Sequence, residues 1–136
     1  MTDLDIRRAG WDTQAAVYLE PACDEYYTID DLACDVQEEK LALFNIYEDN
    51  HHAASMALRV DDQGHAKELV VVCLGGRVKF GNLIMSLSDF WNDLAVLNGA
   101  KSVRAHVFNK AMAKLMERVG GTLSEYVYRK EVSYGR

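Results

Sequence analysis

Proline occurs once, at Pro21, and no Ser/Gly/Pro-rich stretch, repeat or low-complexity run interrupts the chain. That leaves no linker and sets the expectation of one domain over residues 1–136. No run of about 18 apolar residues is present, and the opening MTDLDIRRAG lacks a basic stretch followed by an apolar segment, so neither a membrane span nor a secretory leader is expected. Cysteine is limited to Cys23, Cys34 and Cys73, odd in number and widely spaced, which excludes a disulfide framework and paired zinc ligands. Reduced thiols in a cytoplasm are the expectation, with no metal site. Positive charge is also short, 15 Lys and Arg against 21 Asp and Glu, and a net charge of −6 argues against direct nucleic-acid binding. What is plentiful is apolar material, 49% of residues, enough to bury a core.

The acidity is uneven. Residues 1–50 carry thirteen acidic against three basic side chains, and residues 51–136 carry eight against twelve. The basic second half is suited to an anionic small molecule; two mutually attractive solvated faces are the plainer alternative. Along the chain, Leu4–Ala9 reads as a strand, and Asp12 as the N-cap of a helix carrying Trp11, Ala15, Tyr18, Leu19 and Ala22, kinked at Pro21. Thr28 and Asp31 form a capping-box variant before a short acidic helix. Leu41–Tyr47, Ala53–Val60 and Glu68–Leu74 read as strands joined in antiparallel hairpins, the third apolar on both faces and therefore central. The loop Gly75–Gly81 follows, then a long amphipathic helix from Asn82 to Leu97 that stops at Asn98-Gly99. Ser102–Phe108 reads as a strand, Asn109 caps a helix with Met112, Leu115, Met116 and Val119, and Thr122–Val132 reads as a last strand or hairpin arm. The fold class is α/β: hairpins followed by βαβ units predict a mixed sheet with helices on both faces.

The order β-α-α-β-β-β-α-β-α-β, with a glycine loop before the long helix, resembles the GCN5-related N-acetyltransferase (GNAT) fold across nearly the whole chain. The most specific likeness is Asn109-Lys110-Ala111-Met112-Ala113-Lys114-Leu115-Met116-Glu117-Arg118-Val119-Gly120-Gly121, against the family's N-x-x-A-x-x-L-Y-x-x-x-G-F. Asn109, Leu115 and Gly120 keep register. Met116 stands where the family has the Tyr that protonates the departing thiolate, and a thioether donates no proton. The family's Q/R-x-x-G-x-G/A loop aligns with Gly76-Arg77-Val78-Lys79-Phe80-Gly81, in which only Gly81 matches, Lys79 replaces the middle glycine and Arg77 is displaced by one. The resemblance implies acetyl-coenzyme A as the ligand, with the Val72–Leu74 edge for the pantetheine arm, Arg77, Lys79, Gly81 and Asn82 for the diphosphate, and Asn109, which keeps the motif register, as a further cofactor-binding residue. The second half also resembles the small acetyltransferase-like proteins of short-tailed phages, the internal virion protein A type. That likeness runs from Lys79-Phe80 through Leu83-Ile84-Met85 and again over Val107-Phe108-Asn109. It implies a phage context and an assembly role with a virion or host protein as partner.

Glu68 opens the central strand, where some GNAT enzymes place a general base; the alternative is a solvated strand-end carboxylate. His106 is a second base candidate, against a hydrogen-bonded histidine on a sheet face. His51-His52 near Asp49 point apart on extended chain and make no designed metal site. Cys73 reads as an inert buried thiol. Tyr126, Tyr128 and Tyr134 read as sheet packing, with Tyr126 or Tyr128 the place for a substitute acid. Two readings follow: a catalytically degenerate binding or virion-assembly protein, and an acetyl-coenzyme A-dependent N-acetyltransferase acting on the amine of a small molecule or protein.

Overall fold

The computed structural model describes residues 4–107, 110–124 and 127–132. Five strands form one sheet in the order β1-β2-β3-β4-β5, with β1 Leu4–Ala9, β2 Ala42–Glu48, β3 His51–Asp62, β4 Lys67–Gly76 and β5 Ser102–Ala105. β1 to β4 run antiparallel and β5 lies parallel to β4. Helices α1 (Thr13–Leu19) and α2 (Ile29–Gln37) cover one face; α3 (Phe80–Leu97) covers the other, with α4 (Lys110–Arg118) packed beside it. This mixed sheet between helices is the architecture the element order predicts. Among the described residues no helix is long and apolar enough to cross a membrane.

Local signals set most boundaries. Asp12 caps α1, accepting a 2.8 Å bond from the Ala15 N–H, and Pro21 turns the chain into one 3₁₀ turn over Glu20–Ala22. Thr28 and Asp31 exchange both capping-box bonds at the start of α2. Asp49 and Asn50 both take positive φ, 51° and 68°, which gives the two-residue turn whose twist suits a hairpin. β3 therefore starts at His51, two residues before the expected Ala53.

The cores differ by face. Ile46, Met56, Leu58, Leu69 and Val71 meet Leu83, Ile84, Leu87 and Trp91 of α3, each large side chain contributing about 1.5–3 kcal/mol on burial. On the other face Leu43, Ala57 and Cys73 pack against Ala15, Leu19, Leu32 and Val36. At the end of β4 the chain passes so close to α1 that a Cβ on Gly75 would collide with the Tyr18 carbonyl oxygen. Asp61, Glu68, Arg59 and Arg104 tie β3, β4 and β5 together at the opposite end of the sheet. A hydrogen bond from Arg59, aided by the charges of Arg59 and Arg104, holds the Asp61 carboxyl below its ordinary value.

Three further sequence expectations change. The long helix begins at Phe80 rather than Asn82, so Gly81 and Asn82 lie in its first turn and the glycine loop is correspondingly shorter. β5 stops at Ala105, short of Phe108, because β4 pairs with it only from Glu68 to Val71. The Thr122–Val132 segment forms no strand over its described residues: Leu123, Val127, Tyr128 and Val132 are all exposed, so its β-forming side chains have no face to bury. Arg129 instead stacks on Tyr26, 4.1 Å from the ring centre, with Asp24 3.8 Å away. Asn109, Tyr126 and Tyr134 lie outside the described residues.

Gly75→Ala should lower stability by about 1–3 kcal/mol, because backbone must move to admit the methyl group. Gly81→Ala, whose Cβ would meet only Leu115 at 3.6 Å and Arg118 at 4.0 Å, should leave stability unchanged or raise it slightly. Denaturant unfolding of the two variants checks this, and equal losses would contradict the close approach of α1 to β4.

Candidate functional site

Two irregularities open a cleft in the sheet. Ala57 pairs with Cys73 but Leu58 pairs with Val71, so Val72 is an extra residue in β4, a β-bulge. The parallel ladder to β5 ends one residue earlier, at Val71 and Ala105. From Val72 onward β4 keeps its bonds to β3 and, among the described residues, has no strand on its other side. A cavity of about 630 Å³ occupies the divergence. Its walls are β4 from Val71 to Gly76, the exit of β5 at Ala105–Val107, Met112 and Met116 of α4, and Val17, Tyr18 and Pro21 on the α1 side.

The cleft collects some of the sequence candidates and leaves others outside. Val72, Leu74, Arg77 and His106 line it, as does Met116. Lys79 is exposed at the N-cap of α3 with no side-chain cap bond, and Gly81 and Asn82 follow it in the first helical turn. Glu68 stands at the far end of β4, where its carboxylate accepts a 2.7 Å bond from Ser102 and pairs with Arg104 at 3.0 Å. It is not among the cleft-lining residues. Tyr128 is 89% exposed and packs no sheet. Among the described residues no group of three His, Cys, Asp or Glu is placed to hold a metal ion.

Sequence reading missed two features. The first is a directional chain of hydrogen bonds under α1. Ser55, fully buried, donates to Asn45 Oδ1 at 2.8 Å, so His52 Nε2, 2.9 Å away, is the donor to Ser55. The His52 carbonyl accepts the Tyr18 hydroxyl proton at 2.8 Å, and Tyr18 in turn accepts from Arg77 Nε at 3.2 Å. These partners are up to 59 positions apart, and only the bulge in β3 between the Ala54 and His52 pairings brings His52 onto this face. The second is Arg118 at the end of α4, whose guanidinium lies beside Gly81 and adds a cation to the start of α3. Its place in the last helical turn was visible in sequence, but its neighbour was not.

The thiols are chemically quiet. Burial pushes the Cys73 thiol up to about 12, and burial also raises that of Cys23, which shares a hydrogen bond with it. Cys34, exposed on α2, donates to Glu38 at 3.0 Å, and that bond raises its value.

No family model and no curated protein sequence matches the chain. Solved structures do match. An aminoglycoside N-acetyltransferase, AAC(6')-Iy, in complex with CoA superposes with a TM-score of 0.68 at 15% identity, over 97% of this chain and 97% of that one. Glucosamine-6-phosphate N-acetyltransferase from Arabidopsis thaliana gives 0.68 at 13% identity, over 96% and 99%. A probable acetyltransferase gives 0.71 at 11%, again over 96% and 99%. The fold is that of the GNAT acetyltransferases.

Cys73 should resist iodoacetamide at pH 7.5 in the folded protein while exposed Cys34 is alkylated, and labelling should accelerate as pH rises toward the raised thiol values. Peptide mass mapping checks this; rapid modification of Cys73 at neutral pH would contradict its burial.

Proposed function

We propose that the cleft between β4 and β5 binds an acyl-coenzyme A and that the protein is an N-acetyltransferase acting slowly on an amine. The observation that carries this reading is the edge of β4 from Val72 to Leu74, unpaired among the described residues and set inside a cavity of a size that suits a cofactor. Val72 and Leu74 are half-buried, and an extended amide-bearing chain such as pantetheine can take the place of water on their backbone N–H and C=O groups as a strand would. Arg77, Lys79 and Arg118 stand around the start of α3, where the helix dipole also favours an anion, although the Asn82 N–H is already bonded to the Lys79 carbonyl at 2.9 Å. Among the described residues no carboxylate pairs with any of the three. The CoA complex of the aminoglycoside acetyltransferase on the same fold supports the ligand class.

Bound there, acetyl-coenzyme A supplies an activated acetyl group. In this reading His106, exposed at the cleft wall, takes the proton from an acceptor amine; Glu68, occupied by Ser102 and Arg104 away from the cleft, is the weaker candidate. Met116 lines the cleft and offers no proton, and removing a general acid lowers rate by roughly 10²–10⁴-fold.

The same Met116 favours a second reading, in which the cleft is catalytically silent and the protein serves as a binding or assembly protein. A virion or host protein is then the partner, as the sequence likeness to phage proteins implies. A small-molecule or protein amine is the acceptor in the first reading.

Acetyl-coenzyme A at about 100 times its dissociation constant should stabilise the fold by about 2.7 kcal/mol, and Lys79→Glu should cut that gain. Thermal unfolding reads it, and no shift at millimolar coenzyme overturns the acetyltransferase reading in favour of protein partners. Met116→Tyr should raise turnover of an amine substrate, by up to about 10²-fold. Spectrophotometric release of free thiol reads that change, and an unchanged rate would show that position 116 does not limit transfer.

A further inference from the structure

Arg77 is exposed, yet its backbone and its Nε are both held by hydrogen bonds. It leaves β4 at Gly76, its N–H bonds the Ala53 carbonyl at 2.8 Å, and its guanidinium lies 5.8 Å from the centre of the Tyr18 ring. Its Nε–H is bound to the Tyr18 hydroxyl at 3.2 Å. That hydroxyl has only lone pairs to offer, because its one proton goes to the His52 carbonyl. The tyrosine itself cannot shift: it is 4% exposed, its backbone carbonyl abuts Gly75, and the His52 ring meets it edge-on at 5.1 Å. His52 is anchored through Ser55 to Asn45, both buried. The guanidinium is therefore held at Nε by a fixed chain, while the two terminal nitrogens, the pair that grips an oxyanion in bidentate fashion, have no carboxylate partner among the described residues.

We infer that Tyr18 is a positioning residue for phosphate recognition, orienting Arg77 so that its terminal nitrogens meet the diphosphate of the ligand in the cleft. This rests on the acyl-coenzyme A reading above and adds a residue on α1 that the glycine-loop pattern does not contain. Preorganisation of a long side chain is where the gain lies, since an unheld arginine loses rotamer freedom on binding. It also offers a reason why the loop functions with Lys79 in place of a glycine: part of the anion's grip has moved from backbone N–H groups to an anchored side chain.

The test compares wild type, Tyr18→Phe, Arg77→Lys, Arg77→Ala and the Tyr18→Phe/Arg77→Ala double variant by calorimetric titration. The two probes are acetyl-coenzyme A and S-acetylpantetheine, which lacks the diphosphate. Tyr18→Phe and Arg77→Lys should each weaken acetyl-coenzyme A by roughly five- to tenfold, leave S-acetylpantetheine unchanged, and Tyr18→Phe should add nothing once Arg77 is Ala. Arg77→Lys keeps the charge and leaves Tyr18 in place, so it decides the matter if Tyr18→Phe does not fold. Wild type that binds the coenzyme while Tyr18→Phe and Arg77→Lys bind it equally well overturns the positioning role and leaves the cleft's function standing. So does a loss that falls equally on both probes, since that marks a merely structural tyrosine. Wild type that binds neither probe overturns the acyl-coenzyme A reading and the positioning role with it.

Discussion

The parallel ladder between β4 and β5 ends at Val71 and Ala105, and the cleft, its lining and its chemistry all depend on that ending. Beyond that point the outer edge of β4 faces the cleft, where its backbone groups meet water or a ligand instead of another strand. The extra residue at Val72 sharpens the divergence by breaking the regular register against β3 at the same level. The sheet stays intact elsewhere because β3 pairs with β4 along nearly its whole length, and because Asp61, Glu68 and Arg104 clamp the end where β5 does join. The charged clamp and the open cleft thus occupy opposite ends of the same strand.

Packing on the two faces makes this opening tolerable. α3 spreads Leu83, Ile84, Leu87 and Trp91 over the sheet, and α1 closes on the other side at a distance only glycine at position 75 allows. The same close approach brings Tyr18 against the turn into α3, where a buried polar chain from Asn45 ends at Arg77. Core packing, a glycine and a hydrogen-bond chain therefore converge on one guanidinium at the cleft wall.

Local rules made much of the fold legible in the sequence. The apolar run Leu69–Leu74 identified the central strand, and Asp12, Thr28 and Asp31 marked two helix starts because caps act within three residues. The glycine-loop residue Arg77 and Met116, singled out by the likeness, both line the cleft between β4 and β5. Long-range pairing was not legible: Ser55 and Asn45 look like ordinary strand polar residues until the register sets them side by side, and Tyr18 meets Arg77 only through the fold. The tyrosine- and valine-rich segment near the C-terminus failed for the opposite reason. Its composition favours a strand, but tertiary structure provides its described residues neither a buried face nor a partner strand.

Amide hydrogen exchange with and without acetyl-coenzyme A tests the central claim most directly, because it reads the unpaired strand edge itself. Slowed exchange over residues 72–76 and in the first turn of α3, with the β1–β2 pair unchanged, is the result this account predicts. Unaltered exchange along β4 at saturating coenzyme, or protection confined to α2, would contradict it.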